Sequence, residues 1–446
     1  MQKLIRKPYN ILNHQWVTGL LNGPVRKKWR LCMNSSTKSW IGLILLLVVG
    51  GMVVAPASAT ATTWANVTRY ADNNYAVVTD WENMTYTDMA TNLPNVYSNG
   101  NIYMQQATFN SSDKYGDAGQ GMIIFYGHNG TYIRNLTDEA GGMEEGDELK
   151  IVSNDGFYMY FGEDDVNSPE AAQPNLVLTW WDSDMGFVPD YSYGMRLYFY
   201  DPNPAPTYGV ADCLNFTLRE MCNNFDPWYQ RWVGDWNETG SYPNTKGLSV
   251  KNVQYLKIYP PHRHDFNTTG DTTEYAFEGE VASLPSNAGA PSTAFASTAE
   301  IADDDGDCVG FTAETSGYYA AHRFNFTIDT DSALDGALTD IEKLNVTWHG
   351  AGTNAGGNGA TLYVYNFTAG DYEQLDTDSS SSTVYLTGDI VGTVATDGTI
   401  SGIGNYVDSG NVTVLVKQNT QASGANSSYL ETDYVKLTVT HHHWNS

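Results

Sequence analysis

The residues with the clearest chemical potential are carboxylates, cysteines, tryptophans and histidines at short spacings. Asp303, Asp305 and Asp307 alternate around a glycine in Asp303-Asp304-Asp305-Gly306-Asp307, offering several oxygens to a hard cation such as Ca²⁺. The run lacks the distal bidentate Glu of an EF-hand, so a structural calcium and a solvated acidic loop are both open readings. Cys213 and Cys222 close a short loop and form a disulfide if Leu214 to Met221 bends back in an oxidising compartment. Cys308 is then left over, as a buried thiol or an intermolecular link. Trp228, Trp232 and Trp236 recur every four residues, so on a helix they share one face, for stacking on a sugar or for a buried aromatic cluster. His262 and His264 flank Arg263 and could pair on a metal, although no third ligand stands nearby in sequence. His441-His442-His443 precede Trp444-Asn445-Ser446 and read as a disordered tail.

No nucleophile elbow, zinc-protease helix or phosphate loop occurs in the chain. What does recur is the Asn-x-Ser/Thr sequon, at Asn66, Asn83, Asn110, Asn129, Asn135, Asn215, Asn237, Asn267, Asn325, Asn345, Asn366, Asn411 and Asn426. These become glycosylation candidates if the chain is exported. The uncharged run Ile41 to Ala55 follows Lys38 and leads into Pro56-Ala57-Ser58-Ala59, a pattern that a signal peptidase reads. At 15 residues the run is short for a bilayer span, which takes about 20. Residues 1–59 are therefore expected to be a leader and signal peptide, with Met33 a plausible true start, and the mature chain is expected to carry no transmembrane anchor.

Of the 23 Lys and Arg, 15 lie after Ala59 with all 51 acidic residues, so the mature chain carries −36. That charge excludes a nucleic-acid partner. It also favours divalent cations at acidic seams.

The elements that must position these groups are mostly strands. Residues 60–119 are polar, with short strands near Tyr75 to Asp80 and Asn101 to Thr108. Residues 120–261 carry a denser pattern: strands at Met122–Tyr126, Asn175–Trp181 and Met195–Tyr200, a short helix over Tyr132–Ala140, and a hairpin pairing Glu148–Val152 with Gly156–Phe161. Gly247 to Val253 is expected to run as strand into Gln254–Tyr259, and residues 262–273 to act as a linker. Residues 274–440 alternate at period two in Phe324–Ile328, Asn345–Trp348, Thr361–Tyr365, Asn411–Val416 and Tyr434–Val439, the mark of an antiparallel sandwich. Residues 441–446 complete the chain.

Two resemblances follow from these stretches. Arg134-Asn135-Leu136-Thr137-Asp138-Glu139-Ala140-Gly141-Gly142, Gly146-Asp147-Glu148, Ser153 to Phe157, Tyr193 to Leu197 and Lys246 to Val253 resemble scaffold features of the oxidoreductase molybdopterin-binding fold, in the divergent form of surface proteins from methanogenic archaea. In that family a cysteine thiolate holds the metal. No cysteine lies between Thr60 and Asp212, and only Arg69, Lys114, Arg134, Lys150 and Arg196 are basic there, so the resemblance implies a scaffold without its cofactor. Ser316 to Phe324, Tyr363 to Phe367 and Tyr429 to Val435 resemble jelly-roll, galactose-binding-like modules of the same kind of protein.

The expected fold class is mainly β: an α+β molybdopterin-binding-like domain followed by an antiparallel β-sandwich, the jelly roll. The expected function is a non-catalytic extracellular glycoprotein of the cell envelope, a subunit of an S-layer, sheath or similar coat that assembles with identical subunits or other envelope proteins. The alternatives are a secreted protein binding carbohydrate or cell wall, with a glycan as partner, and a molybdopterin-dependent oxidoreductase. No cofactor is expected beyond the structural calcium.

Overall fold

The computed structural model describes residues 60–98, 101–105, 122–169, 173–200, 225–230, 232–233, 242–243, 245–267, 274–328, 330, 336–395 and 398–444. The leader, both cysteines of the expected disulfide, Lys114, Trp236 and the sequons at Asn110, Asn215 and Asn237 lie outside the described residues. No described helix is long and apolar enough to cross a membrane.

The first half contains β1 (Trp64–Ala71), β2 (Asn74–Thr85), β3 (Asn95–Tyr97), β4 (Asn101–Gln105), β5 (Met122–Tyr126), β6 (His128–Tyr132), β7 (Glu148–Ser153) and β8 (Tyr158–Gly162). It continues through β9 (Leu176–Asp182), β10 (Gly186–Phe187), β11 (Arg196–Phe199), β12 (Trp232–Val233), β13 (Tyr242–Pro243) and β14 (Val253–Tyr259). One sheet has the order β2-β1-β14-β7-β8, with β1 parallel to β14. A second has β10-β9-β6-β3, with β11 also on β9. Because β1 pairs with β14, residues of the 60–119 region and of the 120–261 region share one layer.

The β7–β8 hairpin forms where its alternation placed it. Leu149 and Ile151 face the core opposite Phe161 and Met159, while Lys150 points outward between the rings of Tyr158 and Tyr160. Its turn needs the positive φ of 91° at Gly156. The expected helix over Tyr132–Ala140 is shorter, Ile133–Asp138. The carbonyl of Thr137 ends it by accepting from Ala140 N and Gly142 N. Gly247 to Val253 does not run as strand: Thr245–Leu248 is a helical turn and Asn252 has a φ of 49°. A strand cannot pass through a left-handed residue, so β14 begins only at Val253.

The second half contains β15 (His262–His264), β16 (Tyr275–Val281), β17 (Thr293–Ala294), β18 (Val309–Ala313), β19 (Tyr319–Thr327), β20 (Ile341–Thr353) and β21 (Ala360–Asn366). It closes with β22 (Asp371–Asp378), β23 (Val384–Val391), β24 (Thr393–Val394), β25 (Ile400–Ser401), β26 (Asn411–Gln418) and β27 (Ser428–His441). The segment expected as a linker opens with β15, which pairs His262 with Val439 and His264 with Leu437. Backbone pairing to a sandwich strand fixes these residues, so they do not serve as a flexible connection.

The sandwich faces the sheet β17-β16-β19-β26-β21-β22 against β15-β27-β20-β23, with β18 on β27. Phe324, Phe326, Leu362, Val364, Val412, Val414 and Val416 enter the core from one side, and Leu344, Val346, Trp348, Leu430, Val435, Leu437 and Val439 from the other, all fully buried. Fully burying a side chain of this size contributes about 1.5–3 kcal/mol relative to exposure. The chain is thus mainly β, and its C-terminal half is an antiparallel β-sandwich.

One irregularity in this core matters for the surface. Along β20 and β27, His349 is opposite Tyr434 and Gly350 is opposite Thr432, so Asp433 is a bulged residue without a partner. Thr432 turns inward, where its hydroxyl meets Trp348 Nε1 at 2.8 Å and His322 Nδ1 at 2.8 Å. Burial pushes His322 down to about 3, so its ring is neutral at ordinary pH. Asp433 turns the other way.

Candidate functional site

On the outer face of the β15-β27-β20-β23 sheet the bulge brings three chemically active groups together. His349 Nδ1 lies 2.7 Å from Asp304 Oδ1 and 2.8 Å from Asp433 Oδ2. The nitrogen is buried between the two carboxylates. Asp433 is 1% exposed, and its other oxygen accepts from the Gly306 N–H at 3.1 Å. Tyr385, the cross-strand partner of His349, stacks on its ring at 4.0 Å and 7°. The Tyr385 hydroxyl donates to Asp304 Oδ2, and this bond leads the causes that hold the Asp304 carboxyl below the usual range. The tyrosine remains 57% exposed, so its second ring face is open to solvent.

Among the described residues this is the group that gathers three possible metal-ligand atoms, all within 4.8 Å of one another. The carboxylates expected to hold calcium do not gather in this way. Asp303 Oδ1 accepts from Asn267 Nδ2 at 3.2 Å, Asp305 Oδ1 accepts from Asp307 N at 3.0 Å, and all three side chains are exposed. Asp304 is the residue of the run that turns toward other donors. Next to it, burial and the nearby Asp433 push the Cys308 thiol up to about 11, so it stays protonated and is a poor nucleophile.

A second feature lies further along the same strands. An open groove of about 490 Å³ is lined by Thr353, Asn354, Asn358, Asn426, Ser427 and Tyr429, among others. Its amides are set in place by the backbone: Asn354 Oδ1 accepts from Gly356 N at 2.7 Å, Asn354 Nδ2 donates to Gln421 O at 3.2 Å, and Asn358 Oδ1 accepts from Asn354 N at 3.3 Å. The Tyr429 hydroxyl donates to Glu431 Oε2 at 3.1 Å.

The remaining candidates take structural positions. Trp228 is buried in a turn and Trp232 belongs to β12, so these two do not share a helix face. His262 and His264 are buried, their rings 4.5 Å apart and edge to face, with His264 Nδ1 3.4 Å from Glu274 Oε1. Of the sequons, Asn366 is buried, its amide donating to Glu373 Oε1 at 2.7 Å, which leaves no room for a sugar.

The expected disordered tail is instead packed. His442 stacks on Trp228 at 4.0 Å and its Nε2 lies 2.8 Å from Glu342 Oε2. His443 stacks on Tyr160 at 4.5 Å, its N–H donates to Glu148 Oε1 at 2.9 Å, and its ring nitrogen meets Glu148 Oε2 at 2.5 Å. Three aromatic rings in sequence offer flat surfaces to bury, which a reading based on polarity missed.

The first half does not suit an anionic pterin cofactor. Its described basic groups between residues 60 and 212 are already engaged: Arg69 with Asp147 and the Gly142 carbonyl, Arg134 over the Tyr132 ring, Lys150 over Tyr158, and the buried Arg196 with Ser249 Oγ.

No curated protein matches the chain. Among solved structures, a carbohydrate-binding module in complex with β-1,4-galactotriose is 12% identical, covering 38% of this chain and 90% of that one at a TM-score of 0.20, too low for the likeness to carry weight. Residues 271–441, the sandwich, match a family model described as the C-terminal domain of an uncharacterized protein.

Proposed function

We propose that the chain is an exported, surface-located and non-catalytic protein whose sandwich binds a saccharide in the groove beside Tyr429. The observation that carries this reading is the groove's lining of amides and hydroxyls with one aromatic side chain. Sugars present paired donors and acceptors on one edge and C–H faces on the other, which amides, hydroxyls and an aromatic ring match. Because Asn354 and Asn358 are held by backbone bonds, little side-chain entropy is lost on binding. The mature charge of −36 repels anionic polymers and favours a neutral saccharide. On a glycan array the mature chain should bind neutral saccharides, and Tyr429→Ala and Asn358→Ala should each weaken that binding about tenfold, or 1.4 kcal/mol. Failure to bind any neutral saccharide would sink the reading.

One observation favours the coat-subunit reading as a second proposal. β2 is an edge strand whose residues 76–83 are all exposed, with Val77, Val78 and Trp81 among them. Exposed edges of this kind are templates for pairing with another chain. Light scattering of the mature chain should then show association as concentration rises, removed by Trp81→Lys. A monomer at every concentration would count against assembly.

A further inference from the structure

We propose that Asp304, His349 and Asp433 form a binding site for a single transition-type divalent cation such as Zn²⁺, with a coordination position open to solvent beside Tyr385.

The donor set argues for the class of metal. One imidazole nitrogen with two carboxylates is a mixed N/O set that suits zinc and its neighbours, whereas Ca²⁺ takes six to eight oxygens. Three protein ligands also leave one tetrahedral position free, and the exposed side of the cluster is where Tyr385 stands.

The geometry argues that the groups are gathered for an ion. Nδ1 is buried and stands 2.7 and 2.8 Å from oxygens of two different carboxylates, so a single N–H can serve only one of them well. Three donor atoms from three segments thus converge within 4.8 Å of one another. Asp433 cannot relieve the crowding by moving into water, because it is 1% exposed, sits in a bulge and is held by Gly306. Ligands of tetrahedral zinc stand about 3.3 Å apart when bonds are about 2.0–2.1 Å. Opening the 2.7 and 2.8 Å contacts by about half an ångström would admit the ion.

The surroundings fix the ligands. The ring of His349 is clamped by Tyr385, the Asp304 carboxylate accepts from the same tyrosine, and the bulge is anchored inward through Thr432 to Trp348 and His322. Such outer contacts set ligand orientation and contribute to affinity. The ligands come from the loop before β18, from β20 and from β27, so a bound ion would tie three separate segments together.

The test is a titration of metal-free mature chain with Zn²⁺ by calorimetry, with Co²⁺ followed by its visible absorption. The expected result is one ion per chain, unaffected by Ca²⁺. Asp304→Asn and His349→Gln should each weaken uptake by about 100-fold, and Tyr385→Phe by about tenfold. Asp304 is an exposed residue, so its variant should keep the wild-type near-ultraviolet circular dichroism and separates ligand loss from misfolding. No saturable uptake would overturn the proposal. So would uptake that survives the Asp304→Asn/His349→Gln double variant, which would place the metal on other histidines such as His441 to His443. A preference for Ca²⁺ would overturn the donor-set argument. The outcome is independent of saccharide binding, since the groove's variants leave these three residues intact.

Discussion

Trp348→Ala should lower the unfolding free energy of the mature chain by about 3–5 kcal/mol, the range for emptying a fully buried large aromatic site. The ring fills space that no neighbour can reach. It lies so close to Gly350 that a Cβ there would meet Trp348 Cζ2 at 2.4 Å, so the glycine and the indole occupy complementary volumes. The indole N–H is also one of two bonds to the Thr432 hydroxyl, and losing it loosens the inward anchor of the bulge. Trp348→Phe keeps much of the volume and should cost less, because the Thr432 hydroxyl retains His322. Urea unfolding followed by fluorescence measures both, and a loss under about 1 kcal/mol for the alanine variant would show that the sandwich core does not depend on this side chain.

The second large effect is expected at His443. Glu148 is buried, and burial alone would raise its carboxyl, yet contacts with His443 and His442 outweigh that and hold it below the ordinary range. His443→Ala leaves this carboxylate with one partner fewer and should cost about 3 kcal/mol. Pairing Glu148→Gln with His443→Gln should recover most of the loss, since no buried charge then lacks a partner.

The acid dependence follows in sign. Glu148, and Glu342, which the His442 contact holds down, both have depressed folded values. Their stabilisation is present above the ordinary glutamate value of about 4.3 and is lost as pH falls through the lower folded values. His443→Ala should therefore flatten the acid limb of the unfolding curve. An unchanged limb would mean that the Glu148–His443 contact contributes nothing to stability.

The sandwich was legible because its strands alternate cleanly. Phe324, Phe326, Val412, Val414 and Val416 lie where period two puts them, while Leu415 between them joins a smaller apolar cluster with Val281, Ala321, Tyr365 and Tyr372. The candidate metal cluster was not legible, because alternation predicts which face a residue takes only while the strand keeps its register. Asp433 sits where β27 breaks register against β20, and strand pairing brings it beside a histidine far away in sequence. Thr432-Asp433-Tyr434, three polar or amphipathic residues interrupting an apolar alternation, was the available signal.

The acidic run was recognised as a source of ligands, but spacing alone does not tell which carboxylate a loop will turn toward the sheet. Asp304 is turned there by His349 and Tyr385, both supplied by other strands. In the first half, the short helix and the β7–β8 hairpin follow from turn chemistry. The start of β14 depended on a positive φ at Asn252, which has no signature in hydrophobic pattern.

The bulge at Asp433 also decides where this strand can change length. A one-residue insertion resets the parity of a strand, so residues on either side of it follow opposite rules for what faces water. On one side of Asp433 the inward positions include Leu430 and Thr432, and on the other Val435, Leu437 and Val439. The even and odd residues exchange roles at that point. Deleting Asp433 would leave Thr432 and Val435 two positions apart, as in a regular strand, so both would still face the core while the carboxylate was lost from the surface. Asp433 is thus the position on this strand where one residue can be lost without refitting the core, whereas a single deletion on either side of it would put part of the strand out of phase.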